Sequence, residues 1–134
     1  MMFDPVMLNR GNHRIVWTTE NPDEVVKLPR YNKRFTHRSG LMRNLEEWMV
    51  YHNLADEELR RWLCRPIRLD YAGLALIMER GEPIQKHEIP KDVPEIIRKQ
   101  DNTYPNWVRV NGIYKRCDYH PLYKPLIRRQ EDNH

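Results

Sequence analysis

Serine is almost missing from this chain: Ser39 is the only one in 134 residues, and its neighbours are Arg38 and Gly40. No serine or cysteine sits in a nucleophile-elbow pattern, which disfavours hydrolase chemistry of the triad type. Cysteine is nearly as scarce. Cys64 and Cys117 stand alone, with no C-x-x-C spacing for zinc and no dense disulfide pattern, so reduced core thiols are expected. Long apolar runs are lacking too. The apolar run in the N-terminal MMFDPVMLNRGNHR is short and interrupted by Asp4 and Pro5, so no secretory signal is expected there, and no stretch approaches the length of a membrane span. Internal repeats and low-complexity tracts are absent. The expectation is a soluble, cytoplasmic protein with no membrane partner.

What the chain does hold is charge and punctuation. Lys and Arg number 23 against 19 Asp and Glu, a net charge of +4, so the surface is mixed with a basic excess that suits anionic partners such as phosphates or nucleotides. At this length one domain is the simplest arrangement. Ten prolines and five glycines divide the chain into short elements. Residues 14–18 (RIVWT) and 24–28 (EVVKL) are rich in β-branched and aromatic residues, flank a turn sequence, and read as two antiparallel strands. Lys27 lies inside the second, where a cation needs an exposed face or a partner; pointing to solvent is the commoner fate.

Residues 30–43 form a basic run interleaved with Tyr31 and Phe35 and broken by Gly40, which reads as a solvated loop or, alternatively, a strip for nucleic acid. Residues 41–54 carry apolar side chains at Leu41, Leu45, Trp48, Met49, Tyr51 and Leu54, an amphipathic helix with Glu46 and Glu47 bordering its apolar face. Residues 55–63 continue or restart it, with Asp56 able to cap. A second strand pair is expected over 65–70 and 73–79, and residues 74–78 (LALIM) suit a strand buried on both faces. Gly81 and Pro83 then mark a polar turn, and residues 88–100 hold a short helix started by Pro90 or Pro94.

The stretch 99–120, KQDNTYPNWVRVNGIYKRCDYH, concentrates the chemistry. Asn111-Gly112 between two short runs is the strongest local signal for a type I′ hairpin. Such a hairpin returns Asn106 towards Asp118, and Asp101 precedes Asn106 by five positions. Oxygen ligands gathered in this way suit Mg²⁺, which takes one or two carboxylates and completes its shell with water and phosphate.

Taken in order, these segments resemble the protein kinase-like superfamily, and the short kinase-like proteins of bacteria and phages in particular. RGNHRIVW resembles a reduced glycine-rich loop around Gly11, and EVVKLP the strand carrying the phosphate-pairing lysine, Lys27. NLEEWMVY resembles the helix that supplies its carboxylate, Glu47 or Glu46, and LALIMERGEP the hinge, with Met78, Glu79 and Gly81 against adenine. Asp101-x4-Asn106 keeps the spacing of the catalytic-loop pair, and Asp118-Tyr119-His120 stands at the metal motif. The resemblance implies an α+β fold: a twisted antiparallel sheet of about five strands plus a helix over residues 9–82, followed by a minimal catalytic-loop and metal-motif region over 83–120 and a tail. It implies ATP and Mg²⁺ as cofactors, Asp101, Lys27 and Glu47 as catalytic residues, and Asn106 and Asp118 as metal ligands. The loop has one glycine, Lys99-Gln100 replaces the usual His-Arg, and His120 replaces the final glycine of the metal motif.

Three function classes follow. One is an ATP-dependent phosphotransferase acting on a protein or small-molecule hydroxyl. The second is an inactive pseudokinase scaffold that binds and regulates a host macromolecule. The third is a small basic module contacting nucleic acid through residues 30–43. The histidines at 13, 37, 52, 87, 120 and 134 show no metal spacing apart from Asp118-x-His120. Trp17, Trp48, Trp62 and Trp107 are expected in core or edge packing.

Overall fold

The structure, a computed structural model, describes residues 2–31, 34, 36–98 and 106–128. Phe35, Asp101 and the C-terminal residues 129–134 lie outside them. The chain divides into two compact units: Met1–Trp48 with Arg65–Arg80, and Met49–Cys64 with Gly81–His134. The α+β expectation holds, with an antiparallel sheet of five strands and one long helix.

The first unit is built on that sheet. Its strands are β1 (Met7–Arg10), β2 (Arg14–Thr18), β3 (Glu24–Pro29), β4 (Pro66–Asp70) and β5 (Ala75–Glu79), in the order β1-β2-β3-β5-β4. The two expected strand pairs form as read, with Val16 opposite Lys27 and Leu69 opposite Leu76. Strand β5 is an interior strand between β3 and β4, and residues 75–78 are buried as a two-sided strand requires, whereas Leu74 is exposed. Strand β1 was not foreseen. Its sequence, MLNR, lacks β-branched residues and is exposed throughout, so it forms on the template of β2 rather than from its own pattern.

Between β3 and β4 runs α1 (His37–Asn53), the boundary between the units falling after Trp48. The helix starts four residues earlier than expected, and Gly40 is a helical residue rather than a break. A Cβ at Gly40 would stand 2.4 Å from the His13 carbonyl oxygen and 2.5 Å from the Pro29 Cα. Glycine is there because two backbones pass the first turn of the helix, not because the chain turns. The most buried side chains of the helix are Asn44, Glu47 and Val50, whereas Leu41, Leu45 and Trp48 are only half-buried. The apolar stripe read from the sequence is therefore offset from the face that is most enclosed.

The second unit contains a short helix α2 (Glu57–Arg60), capped by Asp56, whose Oδ1 accepts from the Glu58 N–H at 2.9 Å. Its sheet has the order β6 (Glu82–Pro83), β7 (Trp107–Val110) and β8 (Ile113–Arg116). Glu82–Pro83 thus pairs with β7, where the sequence read only a turn; a two-residue strand is too short to show periodicity. Gly81 permits this approach, because a Cβ there would lie 2.5 Å from Val108 Cγ2. The hairpin forms as expected, with Val110 opposite Ile113 and positive φ at Asn111 (51°) and Gly112 (79°), as a type I′ turn demands. The helix expected over 88–100 is confined to α3 (Glu95–Arg98) within the described residues. Buried Leu63, Ile97, Trp107, Tyr119, Leu122 and Ile127 make up much of this unit's apolar interior.

The glycines sort by cause. Gly40→Ala should lower stability by about 2–3 kcal/mol because backbone atoms must move. Gly112→Ala has open space but a positive φ and should cost about 1 kcal/mol. Gly11→Ala, which meets only an ordinary 3.5 Å contact, should fall within about 0.5 kcal/mol of the parent in urea denaturation.

Candidate functional site

Strand β3 carries Lys27 to the sheet face covered by α1, and Glu47 lies on the enclosed side of that helix. Lys27 Nζ stands 2.8 Å from Glu47 Oε1, with side-chain exposures of 4% and 0%. The outward-pointing alternative for Lys27 does not hold. Glu46 is engaged elsewhere, accepting from Arg43 Nη1 at 3.0 Å one turn back on the same helix. Glu47 is thus the partner.

A second cation, which sequence reasoning missed, shares this carboxylate. Arg14 on β2 donates from Nη1 to Glu47 Oε1 at 2.8 Å and from Nη2 to Oε2 at 3.0 Å, a two-pronged pairing that fixes the carboxylate plane. Arg14 Nη1 also donates to Asn44 Oδ1 at 3.1 Å. The Asn44 amide in turn donates to the carbonyl oxygens of Lys27 (3.2 Å) and Gly73 (2.8 Å). Helix α1, β2, β3 and the turn before β5 are joined through one buried polar cluster. The turn can present its carbonyls because Tyr71 and Ala72 (φ 55° each) and Gly73 (φ 101°) curl the chain. The available signal was Arg14 at the start of a strand and a polar Asn44-x-x-Glu47 at helical spacing; spacing alone does not say that such a face is buried.

The loop expected to approach phosphates is a tight hairpin. Gly11 N–H donates to the Arg14 carbonyl at 2.9 Å, and Gly11 O accepts from Arg30 Nη1 at 2.9 Å. His13 in this loop meets Ser39 Oγ through Nδ1 at 3.0 Å, tying it to the first turn of α1. Arg30 and Arg43 both have structural partners here, and residues 37–43 are helical, so the basic run is no continuous loop.

At the hinge-like segment, the Glu79 N–H donates to the Arg65 carbonyl at 2.9 Å and the Arg80 N–H to the Asp23 carbonyl at 2.8 Å. Those two donors are not on offer to an adenine. Glu79 Oε1 also accepts from the Arg65 N–H at 2.7 Å. Met78 and Glu79 belong to the first unit and Gly81 to the second.

In the second unit, β7 and β8 place Asn106 and Asp118 at the open end of the hairpin. The Cys117 N–H donates to the Asn106 carbonyl at 2.6 Å, so Asp118 follows the residue facing Asn106, as the hairpin reading requires. Asp118 Oδ1 lies 3.5 Å from His120 Nε2, and the carboxylate is partly exposed. Fully buried Arg116, which the sequence did not single out, anchors this end: Nε donates to the Asp118 carbonyl at 2.8 Å and Nη1 to the Ile97 carbonyl at 2.6 Å. Among the described residues no three His, Cys, Asp or Glu side chains gather as a metal cage. Asp101 lies outside the described residues.

No helix among the described residues is long and apolar enough to cross a membrane. The sequence matches no protein-family model and no curated protein.

Two outcomes follow. Glu47→Ala removes the acid that Lys27 and Arg14 share and should destabilise the chain by about 3–5 kcal/mol, more than Lys27→Met, because two cations then face each other in a dry interior. Urea denaturation of the variants reads this order. The His13 pKa is lowered by burial first, then by the Arg43 and Arg14 charges. The unfolded chain therefore takes up this proton at higher pH than the folded one, and stability falls as pH drops below the ordinary histidine value. His13→Gln should flatten that slope in melting curves collected from pH 7 to pH 5; an unchanged slope contradicts the assignment.

Proposed function

We propose that the chain is a minimal kinase-like protein that binds ATP with Mg²⁺. The observation that carries this reading is the buried pair of Lys27 on the third strand and Glu47 on the following helix. In protein kinases a lysine on the third strand, held by a helix glutamate, positions the nucleotide phosphates. Here Glu47 fixes Lys27 so that its ammonium is already oriented when a phosphate arrives, which spares the ordering cost of a flexible side chain. The second unit offers Asp118 and Asn106 to Mg²⁺, with Arg116 holding the backbone at Asp118. The metal would neutralise phosphate charge. Asp101, five residues before Asn106, is the candidate to orient an acceptor hydroxyl and take its proton, and transfer to a protein or small-molecule hydroxyl rests on it.

A second reading, an inactive kinase-like scaffold that binds and regulates a host macromolecule, is favoured by a different observation. Arg14 occupies both oxygens of Glu47, and the N–H groups of Gly11, Glu79 and Arg80 donate within the unit. A lysine–glutamate pair locked in this way stabilises a fold whether or not a nucleotide is present.

Thermal shift with ATP and Mg²⁺ separates the two. At a ligand concentration about a hundredfold above Kd, binding to the folded state contributes about 2.7 kcal/mol, a clear rise in melting temperature. Lys27→Met should lose the response to ATP, and Asp118→Ala should lose its dependence on Mg²⁺. A parent protein that does not respond sinks nucleotide binding and leaves the scaffold.

A further inference from the structure

Both cysteines lie in the second unit, and its backbone sets them side by side. Leu63 and Arg116 form a parallel bridge, closed by Arg116 N–H to the Trp62 carbonyl at 2.6 Å and by Cys64 N–H to the Arg116 carbonyl at 2.9 Å. In a parallel pair, the residues one step further along each strand face each other with side chains on the same side. The positions one step beyond this isolated bridge are Cys64 and Cys117, the latter at a bend. Adjacent strands run about 4.8 Å apart, inside the Cα separation of about 4.4–6.8 Å that a disulfide spans. Both backbones are held at this point. The Cys64 carbonyl accepts from Tyr119 Oη at 2.8 Å, and the Cys117 N–H donates to Asn106 at 2.6 Å.

We infer that Cys64 and Cys117 form a reversible disulfide, a redox switch next to Asp118. Cys64 is fully buried and Cys117 half-buried, so an oxidant meets Cys117 first. With a low-molecular-weight disulfide such as oxidised glutathione, the Cys117 thiolate attacks one sulfur and releases one glutathione thiolate. The Cys64 thiolate then attacks Cys117 Sγ and expels the second. Two protein thiols lose two electrons and two protons, and one glutathione disulfide becomes two glutathione thiols. The new bond closes a loop from residue 64 to residue 117 and holds the backbone beside both Asn106 and Asp118. Its effect on Mg²⁺ rests on the proposed function; the bond itself does not.

The test is to incubate the full chain with oxidised glutathione, trap thiols by alkylation, and read intact mass and linked peptides. The expected product has lost the mass of two hydrogens, carries a Cys64–Cys117 cross-link, and reverts with reduced glutathione. Cys117→Ser should yield no cross-link and leave Cys64 unmodified. A lasting glutathione adduct on Cys117, a dimer through Cys117, or no reaction while the guanidinium-unfolded chain oxidises would overturn the inference. The oxidised form should also show a changed Mg²⁺ dependence of ATP stabilisation. If the cross-link forms and that dependence is unchanged, the disulfide stands and its coupling to Asp118 falls.

Discussion

A single carboxylate, that of Glu47, holds the first unit together. Taking an ion out of water costs several kcal/mol even after relaxation, so a buried acid is tolerable only when its partners are close and fixed. Here the partners come from two adjacent strands: Arg14 from β2 and Lys27 from β3 converge on a helix residue that no solvent reaches. Asn44, one helical turn before Glu47, ties the same helix to the Lys27 and Gly73 carbonyls. The helix is thereby registered against the sheet by directional bonds, which tolerate far less sliding than apolar contact does.

The second unit solves a related problem with the opposite charge. Arg116 is fully enclosed, and two of its donors go to main-chain carbonyls, Ile97 at the end of α3 and Asp118 beyond β8. A guanidinium suits this use because its planar set of donors can serve several acceptors at once. The parallel bridge to Leu63 adds a further strand-like contact, so the hairpin end is fixed from two sides. In both units a buried polar group, Glu47 in one and Arg116 in the other, ties distant stretches of backbone together.

That design bears on the choice between binding and scaffolding. Pre-organised cations favour an anionic ligand because the ordering cost is met in folding. The same cluster also contributes specificity of fold in the absence of any ligand. Against that, Arg14 already shares Glu47 with Lys27, and the N–H groups of Gly11, Glu79 and Arg80 are already engaged within the unit.

Local signals in the sequence were sufficient wherever structure is set by near neighbours. The two strand pairs, the Asp56 cap and the Asn111-Gly112 turn depend on side-chain alternation, a capping oxygen and tolerance of positive φ, all of which are written into adjacent residues. The twenty-residue spacing of Lys27 and Glu47 was legible only through resemblance, and the choice of Glu47 over Glu46 was settled by which side of α1 is enclosed. The early start of that helix, the packing reason for Gly40, the formation of β1 and β6, and the roles of Arg14, Asn44 and Arg116 came from the tertiary structure alone. Each depends on a partner distant in the chain, and burial of a polar side chain leaves no mark on periodicity when its compensating charge lies thirty residues away.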